Sequence, residues 1–183
     1  MNNYTQKAIF LDRDGVINVE KGRYIAHLDD FEIIEGVTEA LQTLKKAGYL
    51  LVIVTNQGGI NKGEYTHQTV LDIFAYLQSQ CNGVIDAHYY SPYSNATTRS
   101  LFSKPDSLML EKAIAKYGID VSQSWLVGDA ERDIVAAQKV NVRTIHVKHA
   151  LNEALTIADY HVGSLAEATA FILSQDYKPN ANT

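Results

Sequence analysis

The chain is poor in the residues and segments that cross-link a protein or anchor it to a membrane. It has a single cysteine, Cys81, in 183 residues, so neither an intrachain disulfide nor a thiolate zinc cluster can form, and we predict a small, partly buried side chain there. The longest apolar run, residues 49–54, is too short to span a bilayer. Residues 1–6 are polar and lack the parts of a signal peptide. These absences predict a soluble cytoplasmic protein with no membrane partner.

Positive charge is also scarce. Lysine and arginine number 16 against 21 acidic residues, which gives a formal net charge of -5. Nucleic-acid surfaces need clustered cations, so we expect no nucleic-acid partner. The hydrophobic fraction of 46% and the length are ordinary for one globular domain. We therefore predict a single domain over residues 1–175 and a flexible tail over residues 176–183; no pattern indicates the oligomeric state.

Apolar strand patterns alternate with amphipathic helix patterns along the chain. The predicted strands cover residues 8–11, 50–54, 84–90, 125–127 and 144–147, and the predicted helices cover residues 37–47, 67–80, 107–117, 134–140 and 165–173. This alternation predicts an α/β fold, a Rossmann-like doubly wound parallel sheet with right-handed crossovers. The stretch from residue 15 to about residue 31 is predicted to be irregular and too polar for the core.

Polar clusters follow the predicted strands, where such sheets bind ligands. Asp12 and Asp14 come directly after residues 9–11, and one carboxylate could attack phosphorus while the other handles a proton. Residues 55–59, Thr-Asn-Gln-Gly-Gly, could form an anion cradle at a turn. Taken alone, the first cluster more often marks a solvated turn and the second a polar glycine loop.

Two further elements complete the pattern. Lys104 precedes Pro105, where a lysine can hold a phosphate, although an isolated lysine is usually a surface charge. Asp129 ends a strand and Asp133 follows one helical turn later, which suits a hard cation such as Mg²⁺ but also suits an ordinary acidic helix start.

The order of the four elements resembles the motifs of the haloacid dehalogenase superfamily. Residues 10–18 resemble its first motif, residues 54–57 its second, Lys104-Pro105 its third and residues 127–133 its fourth. The resemblance covers roughly residues 7–173. Within the superfamily the chain looks like the branch of the D-glycero-D-manno-heptose 1,7-bisphosphate and histidinol-phosphate phosphatases.

This resemblance implies a mechanism. Asp12 would attack phosphorus to form an aspartyl-phosphate, and Asp14 would protonate the leaving alcohol and then activate water. Thr55 and Lys104 would hold the transferring phosphoryl oxygens. Such an attack needs cations to offset the repulsion between a carboxylate and a phosphate.

The resemblance also implies the binding residues. Mg²⁺ would be held by Asp12, the backbone carbonyl of Asp14 and Asp129, with Asp133 supporting that shell or orienting the lysine. The substrate would contact four further residues, three in the first two motifs and one in the glycine-rich stretch that follows: Arg13, Asn56, Gln57 and Lys62.

The chain departs from its branch in ways that bear on metal and substrate. Relatives commonly carry a zinc loop of cysteines and a histidine before the motif-three lysine, and residues 90–94 and 101–103 lack those ligands. We therefore expect no structural zinc and a loop over residues 91–103 ordered by packing, through its tyrosines, or looser. Ser103 and Ala130 stand where heptose enzymes tend to have cations.

Several alternatives remain open on the sequence. The leading hypothesis is a phosphatase for a small phosphorylated metabolite, a sugar phosphate of the heptose bisphosphate type. Histidinol phosphate is the alternative substrate, and a catalytically silent homologue that binds a phospho-ligand or a partner is the alternative of another class. No room exists for a large cap domain, so only minimal cap elements and an open site are expected. A metal site at His146 and His149 is disfavoured because no third ligand is near in sequence.

Overall fold

The computed structural model describes residues 4–94, 98–151 and 157–176. Within these residues lie six strands: β1 Ala8–Leu11, β2 Leu50–Asn56, β3 Ala87–Ser91, β4 Trp125–Gly128, β5 Arg143–Val147 and β6 Tyr160–Val162. The α-helices are α1 Val37–Lys46, α2 Gly59–Lys62, α3 His67–Gln80, α4 Leu108–Tyr117, α5 Glu131–Gln138 and α6 Leu165–Asp176. Short 3-10 helices span Leu28–Asp30 and Val121–Gln123.

The strands form one parallel sheet in the order β3-β2-β1-β4-β5-β6. The chain builds outward from β1 to β3, returns to place β4 against the other side of β1, and then builds outward again. The predicted doubly wound parallel sheet is thereby confirmed. The direction of winding switches between β1 and β4, and the carboxyl ends of these two strands therefore flank the crevice where such folds bind ligands.

Helices cover both faces of the sheet, because the central strands are apolar on both sides. Along β1, Ile9 and Leu11 join one core cluster while Ala8 and Phe10 join the other. The first cluster includes residues of α1, α3 and α6, and the second includes residues of α4 and α5. A strand buried on both faces reads as a continuous apolar run, which is the pattern found at residues 8–11.

The structure extends or adds several elements. β2 continues through Thr55 and Asn56 and so carries two motif residues on the strand itself. α5 begins at Glu131 rather than at Ile134, since the first turn of a helix tolerates acids that mask its apolar periodicity. α2 and β6 were not predicted, because four and three residues are too few to show a period.

Two expectations were wrong. The segment after the nucleophile belongs partly to the core, because Val16, Ile17, Ile25 and Phe31 are all buried. Asp176 does not begin a loose tail: it ends α6, and its carboxylate accepts a hydrogen bond from the Tyr49 hydroxyl at 2.9 Å. The rest of the predicted tail, residues 177–183, lies outside the described residues. In the part of the chain that the structure describes, no helix is both long and apolar enough to cross a membrane.

Candidate active site

Three of the motif residues meet at the carboxyl ends of neighbouring strands. Asp12 follows β1, Asp129 follows β4, and Thr55 lies near the end of β2. Each is buried, with at most 6% of its surface exposed. The parallel register brings these strand ends to one edge of the sheet, so residues more than 70 positions apart in the sequence share one crevice.

Lys104 is a fully buried cation of the site. Its Nζ lies 2.9 Å from Oδ1 of Asp12 and 2.6 Å from Oδ1 of Asp133, and it donates a hydrogen bond to the Val54 carbonyl at 2.7 Å. Burial alone would lower the pKa of Lys104, but the two carboxylates raise it above its ordinary value. The lysine is therefore held charged beside the nucleophile, because a buried cation is tolerated when its partners are this close.

The backbone around Lys104 is tied to the end of β2 and β3. Asn56 accepts a hydrogen bond from the Lys104 backbone N–H at 3.0 Å and donates one to its carbonyl at 2.9 Å. The buried Ser91 and Ser103 hydroxyls form a hydrogen bond of 2.5 Å, and the Ser103 hydroxyl also approaches the Tyr93 carbonyl. We name this contact the Ser91–Ser103 pair. It links the two ends of the predicted loop over residues 91–103, and the Tyr93 ring itself is 41% exposed.

Asp12 is held as a carboxylate. Burial raises its pKa, but the charges of Lys104 and Arg132 outweigh that effect and place it below its ordinary value. The backbone N–H of Arg13 donates to Asp12 Oδ1 at 2.7 Å and orients the group. An ionised, oriented carboxylate at the floor of a crevice is equipped to act as a nucleophile.

Three carboxylates converge closely enough to hold a metal ion. Ligand atoms of Asp12, Asp129 and Asp133 lie within 4.8 Å of one another, and this is the one such group among the described residues. Burial and the repulsion of Asp12 and Asp133 raise the pKa of Asp129 to about 8. A hard divalent cation would relieve that repulsion, and carboxylate oxygens are its preferred ligands. The donor set therefore fits Mg²⁺.

The Asp14 carboxylate does not belong to that group but is directed elsewhere. It accepts hydrogen bonds from the Arg13 guanidinium at 2.8 Å, from Asn18 Nδ2 at 3.0 Å and from Gln57 Nε2 at 3.1 Å. Its backbone carbonyl is the atom that was predicted to bind the metal. Gly15 follows with φ of +79°, and a Cβ there would collide with Asp129 Oδ2, so the turn requires glycine.

Thr55 and Gln57 form the second wall of the crevice with a residue that the sequence did not indicate. Gln57 Nε2 donates to Thr55 Oγ1 at 3.0 Å, and its Oε1 accepts from the Tyr65 hydroxyl at 2.8 Å. Burial raises the pKa of Tyr65 to about 12, so the phenol stays a donor. Tyr65 lies eight residues beyond Gln57 in a polar stretch, where no motif marks it.

His146 and His149 contact Asp129, a role that sequence reasoning missed. His149 Nε2 lies 2.9 Å from Asp129 Oδ2, and His146 Nε2 lies 2.9 Å from the Asp129 backbone carbonyl. The register of β4 against β5 pairs Gly128 with His146. Only this pairing brings the histidines near Asp129, since they follow it by 17 and 20 residues.

A cavity of about 920 Å³ lies beside this cluster and is lined by chain neighbours of its residues, among them Asp14 and Gln57. Its lining includes three arginines, Arg13, Arg23 and Arg132, and the rings of Tyr24, Tyr65 and Tyr93. Arg13, Asn56 and Gln57, which are predicted to bind substrate, line this cavity. Lys62 is not among the lining residues; its ammonium lies 5.3 Å from the centroid of the Tyr24 ring, which does line the cavity. The cavity is lined by both acidic and basic residues. Its arginines can bind the anionic groups of a polar ligand.

The fold and this constellation are those of a hydrolase that acts on phosphoryl groups. The chain matches the family described as haloacid dehalogenase-like hydrolase over residues 3–147 and belongs to that family. As in its named relatives, the activity is that of a phosphatase.

Two relatives and one solved structure are similar to this chain over most of its length. The chain is 38% identical over 181 residues to the D-glycero-β-D-manno-heptose-1,7-bisphosphate 7-phosphatase of Salmonella typhi, covering 92% of this chain and 96% of the relative. It is 37% identical to the enzyme of the same name from Haemophilus influenzae, covering 88% and 94%. Among solved structures, the D,D-heptose 1,7-bisphosphate phosphatase of B. bronchiseptica, complexed with magnesium and phosphate, superposes with a TM-score of 0.84 at 26% identity, covering 93% and 99%.

Proposed function

We propose that this chain hydrolyses the 7-phosphate of D-glycero-β-D-manno-heptose 1,7-bisphosphate in a Mg²⁺-dependent reaction. The observation that carries the chemistry is the buried contact between Lys104 and Asp12, beside Asp129 and Asp133. The relatives named for this substrate, which match nearly the full length of the chain, support the choice of sugar.

Asp12 attacks the phosphorus atom and the bond to the sugar oxygen breaks, leaving a phosphoryl group on the Asp12 carboxylate. The Lys104 ammonium lies 2.9 Å from the Asp12 carboxylate and offsets the negative charge that accumulates on the phosphoryl oxygens. Thr55 lies on the other side of the crevice and offers its hydroxyl to those oxygens. Water then cleaves the aspartyl-phosphate and releases inorganic phosphate.

Asp12, Asp129 and the Asp14 backbone carbonyl are proposed to hold Mg²⁺, with Asp133 in support. The ion supplies positive charge that draws the phosphate toward the anionic nucleophile. Asp133 is engaged by Lys104 Nζ at 2.6 Å and by the Ala130 backbone N–H at 3.0 Å. Those contacts favour a role for Asp133 in fixing the lysine.

Asp14 is proposed to give a proton to the leaving sugar oxygen and to take one from the attacking water. To act as an acid, the Asp14 carboxyl has to carry a proton. Its ion pair with the Arg13 guanidinium therefore has to break when substrate enters. Gln57 and Asn18 hold the group within reach of the crevice in the meantime.

The loop before Lys104 is proposed to be ordered without zinc. The Ser91–Ser103 pair links its ends by a buried hydrogen bond. Serine hydroxyls are poor zinc ligands compared with thiolates and imidazoles. Metal analysis of the purified protein should find far less than one zinc per chain, and a stoichiometric zinc content would contradict the proposal.

The decisive experiment measures phosphate release from the heptose 1,7-bisphosphate, histidinol phosphate and common sugar monophosphates, with Mg²⁺ and with EDTA. The bisphosphate should be turned over fastest, EDTA should abolish the reaction, and ³¹P NMR should show loss of the 7-phosphate resonance while the 1-phosphate remains. Asp12→Asn is the matched control, since it keeps the shape of the side chain and removes the nucleophile.

Preferential hydrolysis of histidinol phosphate would instead support the alternative substrate that the sequence left open. Absence of any hydrolysis with saturating Mg²⁺ would favour a silent phospho-ligand-binding protein instead.

A further inference from the structure

The three arginines of the cavity differ in whether they form an ion pair. Arg13 lies 2.8 Å from the Asp14 carboxylate, and Arg23 lies 2.7 Å from the Asp30 carboxylate. Arg132, in the first turn of α5, lines the same cavity and is exposed to its solvent. Among the described residues no group makes a hydrogen bond or an ion pair with its guanidinium.

The Arg132 charge is nonetheless directed at the site. Arg132 directly precedes Asp133 in the first turn of α5, the helix that follows Asp129, and it lines the same cavity as Asp14. A guanidinium in this field with no direct partner is ready to bind an anion that enters the cavity.

The ammonium of Lys104 already has partners within the protein. Lys104 is fully buried and contacts Asp12, Asp133 and the Val54 carbonyl, so it serves the phosphoryl group under attack. The positions on either side of the site, Ser103 and Ala130, carry no charge. A substrate with two phosphates therefore needs another cation for the phosphate that is not transferred.

We infer that Arg132 binds the retained phosphate of the substrate and so determines the preference of this enzyme for bisphosphates over monophosphates. The inference rests on the proposed function for the identity of the sugar, but the geometry of the three arginines does not depend on that identity. The planar guanidinium offers paired N–H donors to phosphate oxygens, a match that lysine or glutamine cannot reproduce.

The test compares kcat/KM for the 1,7-bisphosphate with kcat/KM for the corresponding 7-monophosphate in the wild type, Arg132→Gln and Arg132→Lys. The bisphosphate-to-monophosphate ratio should fall about 10- to 100-fold in Arg132→Gln, mainly through a higher KM for the bisphosphate, which is the size of a lost charge-assisted contact. Arg132→Lys should recover part of the ratio, because it restores the charge without the paired donors.

Lys139→Gln is the matched control. It removes one positive charge at the far end of the same helix, where Lys139 contacts Asp106 at 2.7 Å, and it should leave the ratio unchanged. An equal loss on both substrates in Arg132→Gln would assign Arg132 to the transferring phosphoryl group and overturn the inference, and so would an unchanged ratio.

A binding measurement separates this inference from the proposed function. Isothermal titration of the bisphosphate and the monophosphate into Asp12→Asn and into Asp12→Asn/Arg132→Gln, both with Mg²⁺, reports on the retained phosphate without turnover. If the wild type hydrolyses neither sugar, the proposed function fails, yet a selective loss of bisphosphate affinity in the double variant would still uphold the role of Arg132. Equal affinities in the two proteins would overturn it.

Discussion

The buried floor of the site and the wall of the cavity beside it are built on different principles. At the floor, Asp12, Lys104 and Asp133 are buried, and Lys104 lies within 2.9 Å of both carboxylates. At the wall, Arg132 and Tyr93 are exposed. Buried charges must be paired, whereas solvent can satisfy exposed ones. The floor thus admits few substitutions and sets the reaction, while the exposed residues of the wall can vary and so set the substrate.

Breaking the floor should give the largest effect. Lys104→Met removes the cation that faces Asp12 and Asp133, and we expect kcat/KM to fall on the order of 10³-fold or more because the phosphoryl oxygens lose their buried cation. The free energy of unfolding should fall by about 3–5 kcal/mol, since two buried carboxylates are left without their partner. Steady-state kinetics and urea denaturation measure the two quantities.

The double variant Lys104→Met/Asp133→Asn serves as the control for that loss of stability. It should recover part of the unfolding free energy but none of the activity, because one uncompensated charge is removed and the cation is still missing. Equal stability of the wild type and Lys104→Met would contradict the pairing described for the floor.

Metal binding should depend steeply on pH. The pKa of Asp129 is raised to about 8, so below that pH a proton occupies the carboxyl that the metal needs, and above it the carboxylate is free. The apparent Mg²⁺ affinity should therefore rise by up to about tenfold per pH unit from pH 6 toward pH 8 and then level off. Titration calorimetry in buffers of different ionisation enthalpy measures both the affinity and the proton released. A flat profile across this range would be inconsistent with a protonated Asp129.

The Ser91–Ser103 pair should have an intermediate effect. Ser91→Ala and Ser103→Ala each leave a buried hydroxyl without its partner, and each should lower the free energy of unfolding by about 1–3 kcal/mol. The double variant should cost less than the sum, because no orphaned hydroxyl remains. A strictly additive cycle would show that the two hydroxyls do not stabilise each other.

Lys62 should have the smallest effect. Its ammonium packs on the Tyr24 ring, and Lys62 does not itself line the cavity. Lys62→Met should therefore change KM only severalfold through Tyr24 and leave the stability within about 0.5 kcal/mol. Lys46→Met, on the exposed surface of α1, is a neutral comparison. A loss of kcat/KM as large as that expected for Arg132→Gln would place Lys62 in direct contact with substrate.

The parts of the molecule that local sequence could predict are those that local physics determines. The run Ala8–Leu11 is apolar on both faces and became β1, and Thr66 caps α3 through its hydroxyl. The segment after Asp14 was predicted to be too polar for the core, and this was wrong. Its few apolar side chains, among them Ile17 and Phe31, are buried by contacts with distant elements that no short window contains.

The sequence by itself determined the parallel α/β fold and the positions of the motif residues at strand ends, because periodicity and turn chemistry act over a few residues. Only the tertiary structure decided that Tyr65 supports Gln57, that His146 and His149 meet Asp129, and that the Ser91–Ser103 pair joins the ends of the loop before Lys104. It also decided that Arg132, alone of the cavity arginines, makes no ion pair within the described residues. Strand register and chain crossings set such contacts, and they bring together residues whose separation in sequence carries no local signal.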